Sequence, residues 1–153
     1  MHLQLDKSLR QSAGKRWLLR ILAAIGIVWA LPLTLLGLAA GIPIVLARGR
    51  VFVIRDATPA LLIRGPLADF LLERHPFGPM SAMAIGHIVI ADKAGLTKQI
   101  LTHELAHVRQ AAMWGPLFPF AYFGASLWAW LTGKDAYWNN HFEVAARKAE
   151  RHI

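Results

Sequence analysis

Two apolar blocks constrain this 153-residue chain more than any other feature of it. Residues 18–47 are 30 positions broken by one charge, Arg20, and residues 111–131 are 21 positions with none. Each is long enough to cross a hydrocarbon core of about 30 Å. At 56% hydrophobic residues, the chain exceeds what a small soluble globule usually carries, so a membrane-associated protein is expected.

The first block is longer than the apolar core of a cleaved signal, about 7–15 residues, and no small-residue cleavage site follows a short run. It is expected to be retained. Lys7, Arg10, Lys15, Arg16 and Arg20 flank it on one side, and Arg48, Arg50, Arg55 and Arg64 on the other. The positive-inside comparison is nearly balanced, and the orientation stays open. Pro32, Gly37, Gly41 and Pro43 interrupt the block, which is also shorter than the roughly 40 residues that two spans need. One kinked span or a shallow hairpin fits. An amphipathic lead at 3–15, with Leu3, Leu5 and Leu9 as interfacial anchors, precedes it. Residues 1–47 thus read as a lead and membrane anchor, and 48–153 as a second unit.

The net charge of +8 does not point to nucleic acid. The basic residues sit beside apolar segments and in the C-terminal helix, with no basic stripe interleaved with stacking aromatics. Anionic lipid head groups explain them more cheaply. Cysteine is absent, which excludes thiolate ligands and disulfides.

Within 48–153, residues 50–55 and 60–64 read as short strands joined by Asp56-Ala57-Thr58-Pro59, and 66–74 as a short helix. Residues 83–91 are the best strand candidate. Thr97 is a plausible N-cap for a helix from Lys98 to about Met113, ended by Gly115-Pro116. A last helix begins near Asn139 or Asn140 and reaches about Arg151. The expected fold is α+β and membrane-associated: helices around a small sheet, with two apolar segments.

His103, Glu104 and His107 form His-Glu-x-x-His inside the helix that begins at Lys98. One turn apart, the two imidazoles project from the same face and reach one Zn2+ ion, while Glu104 stands beside it to activate a water. A catalytic zinc site needs a third protein ligand and an open position. Glu143, His141, His87, His75, Asp92 and His152 are the candidates. Glu143 leads because the final helix presents it toward the first. It also has a purely structural explanation, since Asn140 and Glu143 have capping-box spacing.

The residues 103–107 (HELAH) and the later 140–146 (NHFEVAA) resemble the gluzincin group of zinc metallopeptidases, in particular small bacterial membrane-associated members. The extension 105–110 (LAHVRQ) and Trp114-Gly115-Pro116-Leu117-Phe118 add to that likeness, which spans 84–149. The resemblance implies that His103, His107 and Glu143 bind zinc and that Glu104 is the general base. One departure stands out. Gluzincins commonly carry an acidic residue four positions after the ligand glutamate, and this chain has Arg147 there. The partner that orients a zinc histidine must then come from elsewhere, with Asn140, Gln110 or a backbone carbonyl as candidates.

The reading is zinc-dependent hydrolysis of peptide bonds in membrane-proximal peptides or proteins. Tyr137 is the candidate oxyanion donor, ahead of Tyr122 and His87. If both apolar blocks crossed fully, His107 and Glu143 would lie on opposite sides of the membrane. Glu143 as a ligand therefore predicts that 111–131 is broken, re-entrant or interfacial. The expected setting is a bacterial inner membrane, integral or monotopic, with lipid and a peptide substrate as partners. The apolar stretches also leave room for a homo-oligomer or membrane-protein partner. The rival readings are a weak or inactive metal-binding or chaperone-like membrane subunit, and a membrane scaffold without metal.

Overall fold

The computed structural model describes residues 17, 18, 20–76 and 78–151, so the lead at 3–15 and His152 lie outside the described residues. The first apolar block folds as two helices, α1 (Arg20–Trp29) and α2 (Leu31–Leu46), bent by 66°. Pro32 falls in the first turn of α2, where a missing backbone N–H costs nothing. The proline therefore restarts the helix in a new direction. Then follow β1 (Arg50–Ile54), β2 (Ala60–Arg64), α3 (Pro66–Glu73), β3 (Ala82–Ile85), β4 (Ile88–Ala91) and α4 (Lys98–Trp114). A 3-10 turn (Gly115–Leu117), α5 (Phe118–Leu131) and α6 (His141–Glu150) complete the chain.

The run expected as a single strand over 83–91 is a hairpin instead. Gly86, at φ +60°, turns the chain between β3 and β4, and a Cβ there would lie 2.4 Å from the backbone nitrogen of Thr34. Only glycine meets both demands. A largely apolar run hides such a turn because β4 is buried on both faces and β3 is part-buried, so neither strand shows a polar face.

The sheet has the order β1-β2-β4-β3. β2 and β4 pair in parallel, Leu61 opposite Ile88, while β1–β2 and β3–β4 are antiparallel. All four β4 residues are buried, which alternation explains once both faces are covered. Val89 and Ala91 join Leu62, Leu105 and Val108 on the α4 side. Ile88 and Ile90 join Ile44, Ala68 and Leu72 on the α2 and α3 side. Small residues let α2 lie close to the sheet: a Cβ on Gly37 would be 2.5 Å from the Ile85 carbonyl oxygen. β3 is an edge strand, and α4 lies against it.

α4 starts as its sequence predicts, with Thr97 Oγ1 accepting from the Ile100 amide. It ends at Gly115, φ +54°, where a Cβ would collide with the Trp29 indole. The second apolar block then breaks into the 3-10 turn and α5. Fourteen residues make a helix of about 21 Å, short of a hydrocarbon core. Among the described residues no single helix is long and apolar enough to cross a membrane; the bent α1–α2 pair alone passes on length and composition. The second block does not carry the chain away, because α6 packs against both α4 and α5. The outer face of α5, including Phe120, Leu127, Trp128 and Trp130, stays exposed.

Candidate metal centre

Packing of α6 across α4 brings a distant glutamate onto two histidines of one helix. His103 and His107, one turn apart on α4, face each other with 3.1 Å between their Nε2 atoms. Glu143, in the first turn of α6, sets Oε2 3.3 Å from His103 Nε2 and Oε1 3.2 Å from His107 Nε2. Their side chains are 11%, 12% and 3% exposed, so water supplies little of their solvation. Asn140 caps α6 by accepting from the Phe142 amide, which leaves the Glu143 carboxylate for the histidines rather than for the helix end.

Hydrogen bonds at the far side of each ring decide which nitrogen points inward. His103 Nδ1 donates to Glu150 Oε1 at 2.5 Å. His107 Nδ1 donates to Gln110 Oε1 at 2.8 Å, and the Gln110 amide is oriented because its Nε2 donates to the Phe142 carbonyl. Both rings therefore turn an Nε2 lone pair toward the other and toward a carboxylate. Such a triangle repels itself unless a cation or proton sits inside it. Glu143 Oε2 is buried and receives no hydrogen bond. Two ligands at about 2.0–2.1 Å from a tetrahedral zinc stand about 3.3 Å apart, and the three spacings here are 3.1, 3.2 and 3.3 Å. The residues fit a divalent cation such as Zn2+, and among the described residues they are the set of three able to hold one.

The electrostatics carry the same signature. Burial works against charge on His103, but the carboxylates of Glu143 and Glu150 beside its ring outweigh it and raise its pKa to about 8. Burial likewise opposes ionisation of Glu143, yet the two histidines and Tyr122 hold it below the usual carboxylate range. Glu104 is buried and pushed up by that burial, with the histidines and the Ala84 amide of β3 pulling the other way.

These residues open onto a cleft of about 430 Å³ between β3, α2 and α5, lined also by Tyr122 and Tyr137. Tyr122 Oη donates to Glu143 Oε1 at 2.7 Å, so its hydroxyl is committed to holding that carboxylate. Tyr137 lies half exposed, with its pKa pushed up to about 12 by burial and by the negative charge of Glu143.

Of the other sequence candidates, His75 lines the cleft, but His141 is exposed and Asp92 is tied to the Gly95 amide. His87 is buried with Nδ1 against Thr34 Oγ1 and belongs to the packing of α2. Glu150 was missed as the partner of His103. The signal for it was its place seven residues after Glu143, two turns along the same face of α6.

An H-E-x-x-H helix that closes a His-His-Glu triad with a glutamate from a second helix defines a zincin-like metal site, with the geometry of a catalytic zinc-protease centre. Comparison with models of protein families, with curated proteins and with solved structures finds no match to this chain.

Proposed function

We propose that the protein is a zinc-dependent peptidase of gluzincin type that cleaves membrane-proximal peptides or proteins. The observation that carries this reading is the inward aim of two imidazole lone pairs and a buried carboxylate with mutual spacings of 3.1–3.3 Å. When bound, zinc supplies Lewis acidity toward a carbonyl and a water that ionises near neutral pH. His103, His107 and Glu143 hold it, with Glu150 and Gln110 fixing the two rings. Glu104 takes the proton of the attacking water and returns it to the leaving amine. Its raised affinity for a proton suits a group that must both accept and release one. Tyr137 donates to the developing oxyanion, whereas Tyr122 secures Glu143.

Residues 1–47 serve as lead and anchor, and 48–153 form the peptidase unit with α5 lying at the membrane interface. The exposed apolar faces of α1, α2 and α5 support a monotopic or single-pass membrane protein, for which a bacterial inner membrane is the proposed setting. Arg147 occupies the position where gluzincins commonly carry the orienting acid. Glu150 supplies that acid from another position, which supports the reading of a working site.

Metal analysis and a peptidase assay on the purified full chain test the proposal together. Wild type and Glu104→Gln should each bind about one zinc per chain, with cleavage in wild type alone; His103→Ala and Glu143→Ala should lose zinc. Turnover by Glu104→Gln at the wild-type rate, or zinc retained in Glu143→Ala, refutes it.

A further inference from the structure

The two edges of the sheet differ in what covers them. α4 lies against β3, whereas β1 pairs on one side only among the described residues. An exposed edge normally carries a lysine, a proline or a bulge that stops another strand from adding to it. β1 has none of these between Arg50 and Arg55. It runs Val51-Phe52-Val53-Ile54 in an unbroken ladder with β2, and Val51, Phe52 and Val53 are 46%, 46% and 64% exposed. The direction of each backbone group follows from the register. The Leu61 amide donates to the His87 carbonyl, so Leu61 turns its backbone toward β4 and Leu62 turns its own toward β1. Phe52, opposite Leu62, therefore bonds to β2, and Val51 and Val53 hold their N–H and C=O groups outward.

These outward groups are complementary to themselves. A twofold axis through Phe52, normal to the sheet, sets Val51 opposite Val53 of a second copy and satisfies every outward N–H and C=O of both residues. The same register opposes Arg50 to Ile54 and Arg55 to Gly49, and it brings Arg48 beside Asp56 just beyond the ladder. A slip of one residue sets Arg55 against Arg50 or Arg48, and like charges directly opposite are destabilising. Moving the axis to Val51 sets Val53 against Gly49, whose amide already donates to the Ile44 carbonyl. Moving it to Val53 sets Val51 against Arg55, outside the strand. We propose that β1 is a self-association edge, through which two copies of this chain join antiparallel about Phe52 and merge their four-stranded sheets into one. Because the axis is normal to the sheet, the exposed apolar faces of the two α2 helices turn the same way, as two chains anchored in one membrane require.

The chain has no cysteine, so single-cysteine variants of the full-length protein in detergent report the register directly. At the axis, cysteines at position 52 of the two copies face each other as a pair without hydrogen bonds, with Cα atoms about 4.5 Å apart and within disulfide reach. Cysteines at position 53 are diagonal neighbours, about 7–8 Å apart. Under mild oxidation with copper phenanthroline, Phe52→Cys should give about tenfold more covalent dimer than Val53→Cys or Phe70→Cys, the last a comparably exposed site on α3. Light scattering should show a wild-type dimer and a Val53→Pro monomer of unchanged helix content, because that proline removes an outward amide and leaves the ladder with β2 intact. Equal cross-linking at the three positions, which is collision within micelles, overturns the proposal. A wild-type monomer, whose edge then takes another protein's strand or lipid, does the same, as does a folded Val53→Pro protein that stays dimeric. If Val53→Pro does not fold, the cysteine series decides alone.

Discussion

Glu150 Oε1 accepts from His103 Nδ1 at 2.5 Å, which places the orienting carboxylate seven residues after Glu143 instead of four. The position four residues on is held by Arg147, whose Nη1 lies 3.7 Å from Glu143 Oε2 and whose guanidinium stacks 4.7 Å from the Trp138 ring. The two residues have divided one task. Glu150 fixes the ring that must present a lone pair, and Arg147 steadies the carboxylate that must stay charged. Glu150→Ala should therefore weaken zinc binding by about 10–100-fold, the usual cost of losing such a partner, with little change in folding. Competition titration against a chelator measures it.

Zinc binding should depend on pH through His103. Its pKa of about 8 means that a proton must leave the ring before a metal can take the Nε2 lone pair. Below pH 8 the apparent affinity should fall toward about tenfold per pH unit, and Glu150→Gln should shift the onset of that fall to lower pH. In metal-free protein the sign reverses. A pKa raised in the folded state means that the proton stabilises the fold fully below about 6.5, and that this contribution is lost as pH rises through about 8. Titrations with zinc at several pH values, beside thermal unfolding in chelator, separate the two effects.

Asn140 links the apolar helix to the third ligand. Its side chain, 0% exposed, donates from Nδ2 to the Tyr122 carbonyl and to Ser126 Oγ on α5, and accepts from the Phe142 amide through Oδ1. Asn140→Ala removes the cap of α6 and leaves buried groups of α5 without a partner. A loss of about 2–4 kcal/mol in stability is expected, together with weaker zinc binding because Glu143 is no longer pinned. Denaturant unfolding with and without zinc resolves the two contributions.

The His-Glu-x-x-His signal was legible because it needs only local helical spacing, and the start of α4 at Thr97 because a cap is equally local. Glu143 was harder, since capping-box spacing accounts for a glutamate there without any metal. Glu150 was harder for a different reason: its spacing puts it on the Glu143 face of α6, but its role exists only once α6 crosses α4 at a particular angle. Tyr122, inside an uncharged block, was legible only as a lesser oxyanion candidate, and the commitment of its hydroxyl to Glu143 had no sequence signature. The Gly86 turn was hidden in the same way, by apolar strands on both sides of it.

The close seating of α2 is a separate prediction about the fold. Gly37 faces the Ile85 carbonyl and Ile88 Cβ, at 2.5 and 2.8 Å from where a Cβ would sit. Neither neighbour is the free end of a flexible side chain. Gly37→Ala should push α2 from the sheet and cost about 1–3 kcal/mol, even though alanine is the better helix former. Thermal unfolding in detergent reads this directly, and a neutral or stabilising result would mean that α2 is not held against β3 and β4.

The two cleft tyrosines should separate in kinetics. Tyr122 spends its hydroxyl on Glu143 Oε1, so Tyr122→Phe removes a hydrogen bond to a buried carboxylate and should weaken zinc binding severalfold. With zinc in excess, its kcat should recover toward wild type. Tyr137 is placed differently: it sits half exposed in the connector before α6, feels the Glu143 carboxylate as well, and has Arg147 5.9 Å from its ring. If its hydroxyl meets the oxyanion, Tyr137→Phe should leave zinc stoichiometry unchanged and lower kcat by about 100-fold with little effect on KM, since the interaction exists only in the transition state. Steady-state kinetics of both variants at saturating zinc give the answer. The reverse pattern, with kcat lost in Tyr122→Phe and zinc affinity lost in Tyr137→Phe, would exchange their roles and require Glu143 to be held from the connector rather than from α5.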